Sequence, residues 1–212
     1  MNINTAELFA PVYNKAFKSI MNHTKERWTF PGGRASCKSS FISICVVILI
    51  VLFPDYNAVV VRKHKNTLRY SVFEQIVWAI DKLHLRRSNG KKAGFKIPKS
   101  KTAALPIVYI RKNGKEQNIL FVGLDDAEKS KSMKISNGYI AILWCEEKTE
   151  VEPADLQNLK ISALRGGNTF YMFESYNPPS STRHWCNAEA KQDDPRRMIV
   201  HTTYLDISPN WL

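Results

Sequence analysis

Short runs of apolar and β-branched residues recur along the chain and alternate with segments of helical periodicity. We interpret the runs as strands, since β-branched residues favour buried strands; they are Trp28–Phe30, Asn57–Arg62, Ile107–Arg111, Asn118–Val122, Tyr139–Trp144, Thr169–Phe173 and Met198–Thr203. A turn signal, Lys112-Asn113-Gly114, lies between the third and fourth runs and predicts a hairpin. Buried strands that alternate with helices predict an α/β domain with a largely parallel sheet.

Several segments have helical patterns. Residues 1–27 carry apolar side chains at helical spacing, which predicts a helical segment that packs on the edge of the core; these side chains are Leu8, Phe9, Val12, Ala16, Phe17 and Ile20. Leu68–Leu83 repeats apolar residues on one face, and Pro153–Leu164 begins with a proline, which the first turn of a helix tolerates. We expect one core domain over residues 28–212.

The run Phe41–Phe53 is apolar except at Ser43. Its 13 residues fall short of the roughly 20 that a membrane-spanning helix needs. A signal peptide would place its apolar part near the start, whereas 40 mostly polar residues precede this run. We therefore interpret it as a helix buried on nearly all sides and expect no membrane segment. A membrane anchor is the alternative.

Composition fits one folded domain and adds a strong positive charge. The 212 residues are 44% hydrophobic and 24% charged, which excludes an extended disordered chain. The formal net charge of +12 favours a polyanionic partner such as nucleic acid, with an ordinary basic enzyme as the alternative. The basic residues cluster, which favours a functional surface: Arg86, Arg87, Lys91, Lys92, Lys96, Lys99, Lys101, Arg111, Lys112 and Lys115.

The strongest signal for chemistry lies between the first strand and the apolar helix. Gly32–Ser39 matches the phosphate-binding pattern GxxxxGK[ST] at its first glycine, its lysine and its serine. In such a loop the backbone amides at the helix N-terminus bind phosphates, the Lys38 ammonium contacts the β and γ oxygens, and the Ser39 hydroxyl ligates Mg²⁺. The predicted ATP-binding residues are Gly32, Gly33, Arg34, Ala35, Ser36, Cys37, Lys38, Ser39 and Ser40.

Cys37 departs from the pattern, which has glycine before the lysine. If the loop needs a positive φ there, the cysteine costs on the order of 1–2 kcal/mol. Its side chain would also narrow the space for the phosphates.

A pair of acids follows the apolar run Tyr139–Cys145. Such an ATPase needs one acid at the end of a second buried strand to hold Mg²⁺, and a neighbouring carboxylate to orient or deprotonate the attacking water. Glu146 and Glu147 supply both. The alternative is a strand that simply ends in two solvated glutamates.

Ordered stretches along the chain resemble the large terminase subunits of tailed bacteriophages, specifically the prophage-type group. The matching stretches are Gly32–Phe41 (GGR-S-KSSF), Val59–Arg69, Ser71–Leu83, Phe121–Lys134, Gly138–Glu147, Phe173–Pro179 and Val200–Leu212. The resemblance implies a P-loop NTPase fold that binds ATP and Mg²⁺, with a mostly parallel sheet between helices. It also implies a DNA-packaging ATPase that moves double-stranded DNA into a procapsid in the host cytoplasm.

The resemblance also assigns roles. Glu146 matches the Walker B acid, a Mg²⁺ ligand beside Ser39, and Glu147 matches the catalytic carboxylate. Lys38 and Arg34 match the catalytic cations of the loop, with Arg34 directed at the γ-phosphate. The motif that couples hydrolysis to DNA movement is formed by Ser175, Tyr176 and Asn177. The implied partners are double-stranded DNA, a small terminase subunit, a portal protein and further copies of the chain in a ring.

Two departures from this family give a second hypothesis. The family's loop usually reads GGRGSGKS, so Ala35 and Cys37 replace glycines. Such proteins also carry an RNase H-like nuclease domain, which we expect to be absent from this chain because it ends at Leu212. The alternative is therefore a truncated prophage remnant that keeps the fold with weak or no ATPase activity. Another P-loop enzyme such as a helicase is disfavoured because no helicase motif is found.

Overall fold

The computed structural model describes residues 7–88, 90–100, 102–125, 133 and 135–211. Its strands are β1 (Arg27–Pro31), β2 (Tyr56–Arg62), β3 (Gly94–Lys96), β4 (Ile107–Ile110), β5 (Glu116–Gly123), β6 (Tyr139–Glu146), β7 (Tyr171–Tyr176) and β8 (Arg197–Ile199). They form one sheet in the order β3-β4-β5-β2-β6-β7-β1-β8. β4 is antiparallel to both neighbours, and the other pairings are parallel. The predicted α/β fold with a mostly parallel sheet is confirmed.

Five α-helices accompany the sheet in the described part of the chain: α1 (Asn14–Met21), α2 (Lys38–Leu52), α3 (Glu74–Lys82), α4 (Pro153–Ala163) and α5 (Trp185–Ala190). The short elements β3 and α5 were not predicted. The predicted helix Leu68–Leu83 is π-helical over Arg69–Phe73 before α3 begins. β8 ends earlier than predicted, because beyond Ile199 only an isolated bridge at Thr202 continues the pairing.

Helix α2 is buried along most of its length, since every residue from Phe41 to Ile50 is buried. Its apolar side chains pack with α1 and α3 on one face of the sheet, against Trp28, Phe30 and Trp144 among others. In the part of the chain that the structure describes, no helix combines the length and apolar character needed to cross a bilayer.

Successive side chains of each strand point to opposite faces of the sheet, so the hydrophobic core is divided between the two faces. One face is covered by α2. The opposite face carries a second cluster that includes Val59, Leu143 and Met172 and packs against α4. Because neighbouring residues of one strand face opposite sides, each central strand contributes to both cores.

The N-terminal segment differs from its predicted pattern at one position. Val12, predicted to face the core, is 36% exposed, whereas Tyr13 is fully buried. Phe9, Ala16 and Ile20 are buried as expected. Residues 1–6 of this segment lie outside the described residues, as does Lys101 of the basic cluster.

Arg111, predicted to belong to a basic surface, instead binds the end of α2. Its Nη2 donates to the carbonyl oxygens of Ile50 and Val51, at 3.0 Å each, and its Nε donates to the side-chain oxygen of Gln117. The buried amide nitrogen of Gln117 lies within hydrogen-bond distance of three carbonyls in the same turn. The last carbonyls of a helix have no partner within the helix, so these side chains satisfy them.

Replacing Gln117 by Met should lower the free energy of unfolding by about 1–3 kcal/mol, because buried carbonyls lose their donor. Urea denaturation measures the change. Glu116→Gln, at the exposed neighbouring position, is the matched control and should stay within about 0.5 kcal/mol of the wild type. Equal stability of both variants would contradict this role for Gln117.

Candidate nucleotide-binding site

The loop between β1 and α2 begins where the backbone passes very close to a neighbour. The Gly32 amide donates to the Tyr176 carbonyl at 3.0 Å, and Gly32 bridges to Thr202. A Cβ at position 32 would lie 2.7 Å from the Thr202 carbonyl oxygen, closer than side chains tolerate. Glycine is therefore required at this point by space rather than by φ.

The loop ends at the N-terminus of α2, which no side chain caps. The first amides of a helix lack partners within the helix, and the helix dipole makes this end positive. This end is therefore electrostatically favourable for an anion, and it lies beside the ends of β6 and β7, since Lys38 and Ser39 contact Asn177 and Glu146 there.

The two residues that replace family glycines both have positive φ. Ala35 has φ 60° and Cys37 has φ 57°, in the left-handed region that glycine adopts without strain. Cys37 donates through its thiol to the Trp211 carbonyl at 3.4 Å. Burial raises the pKa of this thiol, so the side chain stays neutral and does not repel phosphate. The backbone shape of the loop persists in spite of both substitutions.

Lys38 lies across the loop. Its ammonium donates to the Gly33 carbonyl at 3.3 Å and to the Asn177 side-chain oxygen at 2.9 Å. Burial lowers the pKa of Lys38, although the nearby carboxylates of Glu146 and Glu147 favour its charged form. Since an ammonium has three donors, one remains available for a phosphate oxygen.

A chain of hydrogen bonds holds Glu146 at the end of β6. Ser39 donates to Oε1 of Glu146 at 2.7 Å, and Ser175 donates to its Oε2. Trp144 in turn donates to the Ser175 hydroxyl at 2.8 Å. Burial raises the pKa of Glu146 despite these hydroxyl donors. A hydroxyl and a carboxylate side by side are the hard oxygen ligands that Mg²⁺ prefers, so this donor set fits that ion.

Three predicted site residues make no side-chain hydrogen bond to the loop or to Glu146. Arg34 is exposed, and Glu147 is half-buried; within the described ranges neither side chain makes a hydrogen bond. Glu147 has φ 52°, so the chain turns sharply after β6. Tyr176 faces away from the loop, and its hydroxyl donates to the Cys186 carbonyl at 3.5 Å.

Two supporting residues were missed from the sequence. The Tyr13 hydroxyl donates to the Ser36 carbonyl and accepts from the Thr202 hydroxyl at 3.0 Å, and its ring stacks on Phe41. Burial raises the pKa of Tyr13 to about 12, so the phenol remains protonated. The N-terminal segment thereby holds the phosphate loop from outside. Spacing from Phe9 and Ala16 could have identified Tyr13, whereas Thr202 has no local signal.

A cleft of about 540 Å³ opens beside Ser39 and Glu146. The π-helical segment and α3 form its other wall, with Tyr70 and Trp78 exposed along it. Gln75 donates to the Ser40 hydroxyl at 3.3 Å and joins this wall to the first turn of α2. The Ser39–Glu146 pair is therefore open to the surface.

Some residues of the predicted basic cluster form ion pairs in the structure, and others line a cleft. Arg86 pairs with Asp81, and Lys115 pairs with Asp55. A separate cleft of about 470 Å³ is lined by Arg87, Lys91 and Lys96 beside Arg86. These three cations pair with no carboxylate among the described residues. We call Arg87, Lys91 and Lys96 the basic cleft.

A family model of the phage terminase large subunit matches residues 25–212, which include the loop, Glu146 and the Ser175–Asn177 segment. The chain belongs to this family. It is 30% identical over 210 residues to the terminase large subunit of Bacillus phage SPP1, a match that covers 96% of the chain and 47% of the SPP1 protein. The terminase chain thus spans about half the length of this relative.

Solved structures share the terminase fold. The large terminase of a thermophilic bacteriophage superposes with a TM-score of 0.74 at 15% identity, over 96% of this chain and 48% of that one. The N-terminal domain of the DNA packaging ATPase from bacteriophage phi29 gives a TM-score of 0.62 at 13% identity, over 90% and 97% respectively. At such identities these likenesses report the fold alone.

The positive φ at Ala35 gives a test of the loop in this terminase. Ala35→Gly should raise the free energy of unfolding by about 1 kcal/mol, because relief of left-handed strain exceeds the entropy that glycine adds to the unfolded chain. Ala103 is equally exposed but has no positive φ, so Ala103→Gly should instead lower stability by about 0.4–1 kcal/mol. Thermal unfolding compares the two, and a change of the same sign would contradict the strain argument.

Proposed function

We propose that this terminase domain hydrolyses ATP with Mg²⁺ and uses the reaction to move double-stranded DNA. The observation that carries the proposal is a pair of contacts at one edge of the sheet. Lys38 donates to Asn177, and Ser39 donates to Glu146. The same thermophilic-phage large terminase has been solved in complex with ADP and with ATP-gamma-S, which supports nucleotide binding by this domain.

Each residue then has a physical role. The amides at the start of α2 and the third donor of Lys38 bind the phosphates. Ser39 and Glu146 hold Mg²⁺, which would neutralise charge on the phosphate oxygens. Glu147 orients the attacking water, since its carboxylate is half-buried and makes no hydrogen bond within the described chain. Arg34 is exposed at the loop and contacts the γ-phosphate.

Hydrolysis would be coupled to DNA movement through the Ser175–Asn177 segment, which contacts the same side chains that bind the nucleotide and its metal. Asn177 accepts from Lys38, and Ser175 donates to Glu146. A phosphate would therefore compete with Asn177 for Lys38, and Mg²⁺ would compete with Ser175 for Glu146. A phosphate that binds Lys38 would weaken its bond to Asn177, which is one of two side-chain hydrogen bonds from the Ser175–Asn177 segment to Lys38 and Glu146. The Ser175–Asn177 segment thus responds to the nucleotide directly.

The basic cleft supplies a sequence-independent contact to the DNA backbone, because unpaired Lys and Arg side chains attract phosphates. The phi29 protein is described as a DNA packaging ATPase, which supports the same role here. A motor of this kind works as a ring of copies with a portal protein and a small terminase subunit, and a neighbour's arginine would complete the site.

Hydrolysis tests the first part of the proposal. Glu147→Gln should lower kcat by about 100-fold or more while ATP still binds, because the water loses its base. Lys38→Ala should abolish binding of a fluorescent ATP analogue, since the phosphates lose their cation. Lys18→Ala, at an exposed position on α1, is the control and should behave as wild type.

Two results would contradict this mechanism. Robust hydrolysis by Lys38→Ala would rule it out. A wild type that hydrolyses ATP only after Ala35→Gly and Cys37→Gly would instead support the degenerate remnant.

DNA binding tests the second part. Substituting Arg87, Lys91 and Lys96 by Gln should weaken binding to duplexes of any sequence and reduce the slope of log affinity against log salt by about one for each phosphate-binding cation removed. Fluorescence anisotropy over a salt series measures the slope. Lys15→Gln with Lys18→Gln removes two exposed charges from α1 and should leave it unchanged. An unaltered slope in the cleft variant would exclude this surface.

A further inference from the structure

A buried cluster of charges lies on the sheet face opposite α2. Glu174 and Lys148 are fully buried, with Nζ 3.0 Å from Oε2 of Glu174. Lys148 also pairs with Glu189 of α5, and Arg27 contacts both carboxylates, at 2.8 Å and 2.6 Å. We call these four residues the ion cluster. Burial opposes ionisation of Glu189, but Arg27 and Lys148 outweigh it and lower its pKa to about 2.

The ion cluster adjoins the catalytic edge through the backbone. Lys148 directly follows Glu147, and Glu174 directly precedes Ser175. β6 and β7 are paired there, with Glu146 opposite Ser175. The Lys148–Glu174 ion pair therefore joins the two strand ends from the opposite face, behind the bonds that Ser175 and Ser39 make to Glu146.

The turn after β6 is held by backbone hydrogen bonds and by the Lys148 side chain. Glu147 has a positive φ, which a non-glycine residue adopts only when its surroundings impose it. Two backbone bonds follow, from the Glu150 amide to the Glu147 carbonyl and from the Val151 amide to the Lys148 carbonyl. The Lys148 side chain anchors this turn in the protein interior, and its ammonium also lies 4.8 Å from the centre of the Trp185 ring.

We propose that Lys148 is a positioning residue that fixes the backbone of Glu147 by binding Glu174 and Glu189 from the opposite sheet face. The proposal rests on the ATPase function proposed above. Lys148 touches no reacting atom; it sets the direction in which the Glu147 carboxylate meets the water. Since a misplacement near 1 Å can cost about 100-fold in rate, this anchor should influence kcat strongly.

Arg27 provides the matched comparison within the same cluster. It binds the same two carboxylates, but it begins β1 at the end remote from the phosphate loop, opposite Met172 and Arg197. If the cluster contributed only to stability, loss of Arg27 and loss of Lys148 would be equivalent. If Lys148 positions Glu147, only its loss should affect the reaction.

The test compares Lys148→Met with Glu189→Gln against Arg27→Met with Glu189→Gln. Each pair leaves one cation opposite Glu174, so neither leaves an excess buried charge, and the Arg27 pair keeps the Lys148–Glu174 contact. The Lys148 pair should lower kcat by about 10- to 100-fold with KM for ATP nearly unchanged, because the loop still binds phosphate. The Arg27 pair should keep kcat within about 3-fold of wild type, because Arg27 is remote from the turn that carries Glu147 and its loss does not displace that carboxylate. Equal losses in both, or a change in KM alone, would overturn the proposal.

Hydrogen exchange gives a readout that needs no hydrolysis. The amides of Glu150 and Val151 should exchange faster in the Lys148 pair than in the Arg27 pair, since the turn has lost its anchor. If the wild type hydrolyses no ATP, the proposed function fails, and exchange still decides the positioning role. Equal exchange in the two pairs would overturn it. Should the Lys148 pair not fold, Lys148→Gln with Glu189→Gln carries the same comparison against Arg27→Gln with Glu189→Gln.

Discussion

The burial of α2 is the constraint on which the site depends. Because this helix is covered on nearly every side, its N-terminal amides can meet a partner only at the carboxyl edge of the sheet. The strand order brings the ends of β6 and β7 to that same edge. An uncapped helix end, its first residue Lys38 and a buried carboxylate thus converge there, although Glu146 lies 107 positions from Ser39 in the chain.

The packing of α2 also explains how the loop tolerates two residues that are unfavourable at positive φ. Ala35 and Cys37 each hold a left-handed conformation that costs on the order of 1–2 kcal/mol. Burial of one large apolar side chain contributes about 1.5–3 kcal/mol, and α2 buries many. Tyr13 and Thr202 hold the loop from outside by hydrogen bonds. The shape of the loop is therefore imposed by its surroundings rather than by its own sequence.

Local patterns of apolar residues in the sequence were sufficient to predict most of the fold. The apolar run of α2 and the strands β2 and β6 were predictable because burial alone fixes their composition. Val12 was assigned to the core in place of Tyr13, since hydropathy ranks a valine above a tyrosine whose hydroxyl has a buried partner. The role of Arg111 at the end of α2 and the contact of Thr202 with the loop were not predictable, because each joins residues distant in sequence. In the sequence Lys148 has no distinguishing pattern next to the two acids, and only the sheet brings Glu174 to it.

β7 links the two faces of the sheet at the edge that carries Glu146 and Asn177. Ser175 and Glu174 are neighbours whose side chains point to opposite faces, one to Glu146 and one to Lys148. The strand is paired on both sides, so its end cannot shift without disturbing both sets of bonds. A change of partner at Lys38 or Asn177 is therefore opposed by the ion cluster behind it. Under the proposed coupling, the end of β7 would have to rearrange both sets of bonds together.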